Sequence, residues 1–581
     1  MSVYLMHDTR SLALRRTSKS FVSKGVPSRG NAVVDKYLQR RAALVQEEQE
    51  QRHDYQFRKL LSPTAIRACE IASQIRAREV KDVEEALHYR DNDDKAHHNK
   101  GDLHPKLWDI VKRMPKGSLL HAHLEAVFEV EYMIDQCMST PGMYMTAEKP
   151  FLVSTDFQEA AFTFQYASSS GISEHQKQCN SIWMPNYESS SLIPVHIATA
   201  SFPQGGKAGF RAWLKTRCVF MPEHLSTHDH HRSDRIWAVF GRVFPIIISI
   251  LSYEPIFRRG FRRALSQLAS DGVQYVEFRM GGWNHFQSEG SDVPSADPFN
   301  IYRVLEEEIR LFKASAEGKH FHGVRIIYAA KRSYNVEKIM DRMEMCIRLK
   351  LRFPAMICGF DLVGQEDQGQ SLVELMPRWW IDEIPLFLHA GECLGDGDAT
   401  DQNLFDAILL GSRRIGHGFS LYKHPLLIDM IKQHRILIEC CPISNKVLNL
   451  TNSIRSHPLP ALLSRGVPVA LCNDDPGIIG CNTGQHGGVN GLTNDIFLTV
   501  QALENLGLSG LGVMAENSVR WSCYEDQSTE EWQAGIQDGR EGNGLKATRL
   551  QQWHVQFEEF CKWIVTEFGE AESEHTLHLS L

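Results

Sequence analysis

At 581 residues with 43% hydrophobic content, the chain carries enough apolar material for a large buried core, and its length suits an α/β barrel with insertions. A formal net charge of −8 argues against nucleic acid as the main partner, which calls for a basic stripe. The 13 cysteines are odd in number and include no C-x-x-C pair. That is the pattern of reduced thiols and not of a disulfide framework.

Residues 1–34 read as disordered. The first 21 contain arginines but no continuous apolar stretch, so no secretory signal is expected and a cytoplasmic location follows. The longest apolar run, 244–251, is too short to span a bilayer. Residues 35–61 are polar and helical in composition. Ser62-Pro63 then reads as an N-cap followed by proline in the first turn, opening a second helix to about residue 80. These helices pack on their own chain or on another subunit. A charged loop at 91–100 ends this arm, and the arm with the disordered N-terminus makes up residues 1–105.

A turn at Pro115 and Gly117 leads into a short apolar strand ending in His121-Ala122-His123. Residues 140–233 lack steady periodicity and are rich in Ser, Gly and Pro. They read as an insertion after the first strand, with some structure around Phe210 to Leu214. A helical pattern covers 237–270. Strand signals follow at 273–279, 323–329, 356–363, 384–389, 414–417, 436–440 and 467–472, with amphipathic helices such as 298–314 and 336–351 between them. Eight strands alternating with helices give a (β/α)₈ TIM barrel over 106–524. A doubly wound sheet would show a Gly-rich phosphate loop after the first strand, and none appears. Residues 525–581 form a polar helical C-terminal tail interrupted at 538–543.

Chemistry gathers at the strand ends, where barrel active sites are built. His121 and His123, two apart on a strand, point the same way. The pairs His228/His230 and His320/His322 have no such position and read as surface or core histidines. His389, ending the fifth strand in Phe387-Leu388-His389-Ala390-Gly391-Glu392, adds a third imidazole. Asp474, after the eighth strand, adds a carboxylate. Three nitrogens and one oxygen suit one Zn²⁺ per chain, which makes hydroxide available at neutral pH. Glu392 is placed to shuttle a proton to a leaving nitrogen. His417, in Arg414-Ile415-Gly416-His417-Gly418, can hydrogen-bond the attacking oxygen, and Asp475 is a candidate substrate contact. Adjacent Cys440 and Cys441 read as packing.

The set H-x-H, Gly359-Phe360-Asp361-Leu362-Val363-Gly364, H-A-G-E, R-I-G-H-G, P-x-S-N (442–445) and Asp474-Asp475-Pro476 resembles the adenosine deaminase family over residues 114–520. Met114-Pro115-Lys116-Gly117, Gly364-Gln365-Glu366-Asp367 and Asp474-Asp475-Pro476-Gly477 look most like its growth-factor-related branch, which also carries an N-terminal helical arm and an insertion after the first strand. The resemblance implies zinc held by His121, His123, His389 and Asp474. It implies that Glu392 protonates the purine ring, that His417 positions the hydroxide, and that the Gly364 N–H and Asp475 carboxylate read other ring nitrogens. Trp213 would correspond to a tryptophan that lids the site. Glu125 stands where the family has a ribose-binding aspartate. Lys331-Arg332 read as rim charges, or as a phosphate contact.

The activity so implied is hydrolytic deamination of adenosine or 2′-deoxyadenosine, with a purine nucleoside as the small-molecule partner and neither nucleic acid nor membrane. A homodimer through the arm, and an extracellular location as the alternative to the cytoplasm, are expectations from the branch. The alternatives are a deaminase of AMP or N6-modified purines and a catalytically weak growth-factor-like binding protein. The H-x-E with P-C-x-x-C signature of cytidine-type deaminases is absent.

Overall fold

Eight short parallel strands carry the centre of the molecule in the computed structural model, which describes residues 30–90, 105–168, 181–220, 232–374, 384–479 and 491–578. The expected disordered N-terminus up to residue 29, the charged loop at 91–100 and the His228/His230 pair lie outside the described residues. The first parallel sheet runs Gly117–His123, Val273–Met280, Gly323–Lys331 and Ile357–Val363. The second runs His389–Ala390, Arg414–His417, Leu437–Cys440 and Val469–Leu471.

Two isolated parallel bridges join the sheets, Phe360 with Leu386 and Ala122 with Asp474. The Phe387 N–H donates to the Phe360 carbonyl at 3.0 Å, and the Asp474 N–H to the His121 carbonyl at 3.2 Å. A continuous strand was expected at 384–389, but only His389–Ala390 is strand beyond the Leu386 bridge. Pro385 explains the shortening, because it has no N–H to give the ladder.

The helices between strands form for ordinary reasons. Asn300–Ala314 buries Ile301, Val304, Leu305, Glu308 and Phe312, the spacing of one helical face. Val336–Arg352 is capped by Asn335, whose side chain accepts from the Lys338 N–H. The helical pattern expected over 237–270 is made by two helices, Arg232–Leu251 and Glu254–Ser270, divided where Pro255 starts the second.

The insertion is more regular than its composition suggested. Phe162–Tyr166, Met143–Ala147 and Ile193–Pro194 form an antiparallel three-stranded sheet. Phe162 and Phe164 face inward while Thr163 and Gln165 face out, a period-two signal only five residues long.

The arm helix Pro63–Arg90 packs on its own chain through Ala65, Ala68, Ile71 and Ile75. The first described helix, Ala32–Glu50, starts three residues before the expected boundary and buries none of its residues, and a short helix Tyr55–Lys59 separates it from Pro63–Arg90. The C-terminal segment is less a tail than a cover. Its helix Leu545–His578 buries Trp553, Phe557, Phe560 and Ile564. It is tied to the arm where Ser62 Oγ donates to Glu558 at 2.9 Å. Among the described residues no helix is long and apolar enough to cross a membrane.

Candidate metal centre and active site

At the C-terminal ends of the strands, one ligand atom from each of His121, His123, His389 and Asp474 lies within 4.8 Å of all the others. His121 Nε2 and His123 Nε2 stand 3.2 and 3.3 Å from Asp474 Oδ1. Yet His121 Nε2 and Asp474 Oδ1 are buried atoms that make no aligned hydrogen bond. Orphaned polar atoms in a dry interior are costly. A cation shared between them satisfies both, so the residues present fit a metal ion.

The opposite ring nitrogens explain the orientation. His121 Nδ1 lies 2.9 Å from Glu439 Oε2, and His389 Nδ1 lies 2.7 Å from Asp361 Oδ2. Each carboxylate takes the Nδ1 proton and leaves Nε2 bare towards the shared point, the usual support for a metal-binding imidazole. Both carboxylates are braced by fully buried arginines. Arg279 donates to Asp361, Glu439 and the Leu120 carbonyl. Arg414 donates to Glu439 and Glu277, each at 2.6 Å. Burial alone would raise the Asp361 carboxyl, but His389 and Arg279 hold it below the ordinary range. Glu439 is likewise held low against its burial by Arg279 and Arg414.

Gly416 makes room for this packing. A Cβ there would sit 2.9 Å from His121 Cε1 and 3.3 Å from His389 Cγ, so the glycine of R-I-G-H-G lets the two imidazoles lie against the strand. A second grouping, His417, Cys441 and Asp474, also brings ligand atoms together. Burial raises the Cys441 thiol well above its ordinary value, and it donates to the Glu439 carbonyl, so it stays a protonated packing group.

Glu392 Oε1 lies 3.2 Å from His417 Nε2. The Glu392 N–H donates to Glu366 Oε2 at 2.7 Å and the Gly391 N–H to Glu366 Oε1 at 3.1 Å, fixing the turn that carries the acid. Burial raises Glu392 well above the carboxylate range, and the neighbouring Asp474, Glu366 and Asp475 add to it. Burial pushes His417 well below its ordinary value. The same burial therefore favours the uncharged form of both members of the pair. Asp475, buried beside Asp474, is raised to about 8. His417 and Asp474 both hold left-handed backbone conformations, φ 63° and 58°, rare for residues with side chains and concentrated where function demands them.

A cavity of about 560 Å³ opens beside this cluster, with Glu125, Gly364 and Asp475 in its walls together with Trp237 and Trp283. Glu125 accepts the Trp283 Nε1 proton at 2.9 Å. Gly364 has φ 102°, a conformation glycine alone adopts without strain.

Two expectations are corrected. Trp213 does not line the cavity: it is buried in the aromatic core of the insertion, within 5.1 Å of the Phe162 ring centroid, and its indole donates to the Phe157 carbonyl at 2.8 Å. A nonpolar cluster of that size is a better home for an indole than a solvent-facing rim. Arg332 is not a rim charge either. It is buried and donates to the His389 carbonyl at 2.6 Å and the Gln370 carbonyl at 2.9 Å. Lys331 is exposed at the cavity edge.

Sequence reasoning also passed over the supporting shell of Glu277, Arg279, Glu439 and Glu366. A signal existed. Glu277, Arg279 and Glu439 interrupt runs that were read as buried strands, and charges are rarely buried unless paired.

The adenosine deaminase family model matches residues 219–531, a span that includes His389, Glu392, His417 and Asp474 and begins after His121 and His123. Adenosine deaminase 2 from Sus scrofa is 29% identical over 427 residues, covering 72% of this chain and 77% of that protein. An adenosine deaminase from Aedes albopictus is 29% identical over 449 residues, covering 74% of each. In fold, a solved amidohydrolase from Burkhoderia ambifaria, with bound Zn, covers 81% of this chain and 98% of that one, with TM-score 0.50 and 13% identity. With its family model spanning more than half its length, the chain belongs to the adenosine deaminase family, and its similarity is to the adenosine deaminase 2 branch.

Proposed function

We propose that this protein deaminates adenosine or 2′-deoxyadenosine hydrolytically, releasing inosine or 2′-deoxyinosine and ammonia, with one Zn²⁺ per chain. The observation that carries the reading is the buried Glu392 facing His417 at 3.2 Å beside four converging metal-type ligand atoms.

The architecture that supports it is a closed (β/α)₈ barrel over 106–524, argued from the bridges Phe360–Leu386 and Ala122–Asp474 that tie the two parallel sheets at both edges. His121, His123, His389 and Asp474 would hold the ion. When bound, zinc supplies Lewis acidity and lowers the pKa of a water from 15.7 to about 7.

The chain's own groups do the rest. Glu392, kept protonated by its burial, gives its proton to a purine ring nitrogen, which makes C6 electrophilic. His417 donates through Nε2 and orients the attacking water. The Glu392 carboxylate so formed takes a proton from the added water oxygen and passes it to the amino group; the C6–N bond breaks to release ammonia, and the second proton of that oxygen returns to Glu392 as the C6 carbonyl forms. Asp475 and the Gly364 N–H read the remaining ring nitrogens, and Glu125, held by Trp283, meets the sugar. A homodimer through the arm is supported by Ala32–Glu50, which leaves Val33, Tyr37 and Leu44 exposed.

The test is ammonia release from a panel of adenosine, 2′-deoxyadenosine, AMP and N6-methyl substrates, with and without a chelator. Turnover of adenosine that chelation abolishes and Zn²⁺ restores supports the reading. A clear preference for AMP overturns the substrate, and chelator-resistant turnover overturns the metal.

A further inference from the structure

Behind His417, away from the cavity, runs a chain of hydrogen bonds that starts at a group with no choice of direction. The Leu459 backbone N–H can only donate, and it points at His457 Nδ1 at 3.0 Å. Nδ1 is therefore an acceptor, and the proton of neutral His457 sits on Nε2. Burial lowers His457 to about 4, which keeps it neutral. Its Nε2 faces Asn445 Oδ1 at 3.1 Å. With the amide oxygen so engaged, Asn445 Nδ2 points at His417 Nδ1 at 3.2 Å. An amide nitrogen can only donate, so His417 Nδ1 accepts and the proton lies on Nε2, the nitrogen that faces Glu392.

We propose that Asn445 and His457 are positioning residues that fix the Nε2–H tautomer and the ring orientation of His417, with the Leu459 N–H as the anchor. The inference deepens the reading above and rests on it. Asn445 is fully buried, His457 is 5% exposed, and neither is among the residues lining the cavity. Their hydrogen-bonded route to the site runs through His417; any effect passed instead along the chain to Ser444, which donates to Asp474 Oδ2 at 2.7 Å, would show as altered metal content. An imidazole with its proton on Nδ1 would turn a lone pair, not a donor, towards the reacting water. The left-handed backbone of His417 makes such support necessary, since a strained residue keeps its place only where its surroundings over-determine it.

The test is steady-state kinetics on the full-length, zinc-loaded protein with adenosine, alongside metal content and thermal unfolding. His457→Phe keeps a ring for Phe419 to meet edge-on, as it meets His457 at 5.3 Å, but has no donor. We expect its kcat to fall about 10–100-fold with KM and metal content unchanged, the range for removing an outer-shell partner. His457→Gln, whose amide can donate to Asn445 and accept from Leu459, should recover most of the loss. Asn445→Asp, equal in shape, accepts from both sides and pulls the His417 proton onto Nδ1. Its loss should be larger, since a wrong tautomer at a working imidazole costs up to about 10⁴.

A His457→Phe variant with wild-type kcat overturns the proposal. So does His457→Gln as impaired as His457→Phe, which would make the role one of packing. Should the Phe variant fail to fold, Asn445→Asp decides alone, and unchanged kcat there is fatal. His417→Gln separates the two levels. If it turns over normally, the site reading itself fails; if it is impaired while His457→Phe and Asn445→Asp are not, only the relay fails.

Discussion

Glu392 and His417 face each other across 3.2 Å, and the same burial drives them in opposite directions: the carboxyl up, the imidazole down. Desolvation always disfavours the charged form, so burial favours the neutral state of both groups. The acid can then give a proton, and the imidazole can donate a hydrogen bond without carrying charge. Two titratable groups pushed apart by one environment is how a fold assigns acid and orienting roles.

Replacing Glu392 by Gln tests the acid directly. Glutamine preserves the shape and can still meet His417, but it cannot pass a proton. We expect kcat to fall about 10²–10⁴-fold, the usual value of a positioned general acid, while metal content stays at one ion per chain. A variant that retains turnover removes Glu392 from the proton path.

Asp361 is neither among the residues lining the cavity nor one of the four converging ligand residues, yet it accepts from His389 Nδ1, from the His389 backbone N–H at 2.8 Å, and from Arg279. Asp361→Asn replaces one acceptor by a donor and leaves His389 free to rotate. Metal affinity should fall about 10–100-fold, measured as ion retained on dialysis against a graded chelator series. Activity should return at high zinc. Unchanged retention would show that the Nδ1 contact does not tune the ligand.

The four converging side chains were legible because the C-terminal ends of neighbouring parallel strands lie close together, so H-x-H, His389 and Asp474 could be brought together without coordinates. The supporting shell was hidden for a physical reason. Glu439 supports His121 across 318 positions, and nothing local marks such a pair beyond a charge inside an apolar run. Trp213 misled in the opposite direction. Its part as a lid was implied only by the family resemblance, through a short surrounding motif, whereas it fills a core shared with Phe151, Phe162 and Trp183. The tail read as polar because its helix is amphipathic and alternates buried Trp553 and Phe557 with exposed charges.

That core assigns Trp213 a structural part. Trp213→Ala should destabilise the protein by about 3–5 kcal/mol, the cost of emptying a buried aromatic site. Trp213→Phe keeps one aromatic ring and loses the bond to the Phe157 carbonyl, about 1 kcal/mol, with a further packing loss for the space the larger indole filled, while KM for adenosine should be unchanged. A several-fold rise in KM for Trp213→Phe at full stability would restore a role over the substrate.

Lys546 offers a stability measurement independent of the site. It is buried, its Nζ lies 3.9 Å from the Trp532 ring centroid, and it has no hydrogen-bond partner among the described residues. Burial, with Arg413 and Arg414 adding to it against Cys523 and Glu277, lowers it from 10.5 to about 7. Between those values the unfolded chain holds a proton that the folded chain does not, so stability rises with pH across the window. At neutral pH folding must shed or bury that charge, a penalty on the order of 1.4 kcal/mol for each unit by which the pKa is depressed. Lys546→Met removes the penalty. The variant should be more stable than the parent at pH 7, with the gap closing towards pH 10, in denaturant unfolding at both values. A gap that is the same at both would mean that the Lys546 pKa is not depressed in the folded chain, the Trp532 face compensating the lost hydration in full.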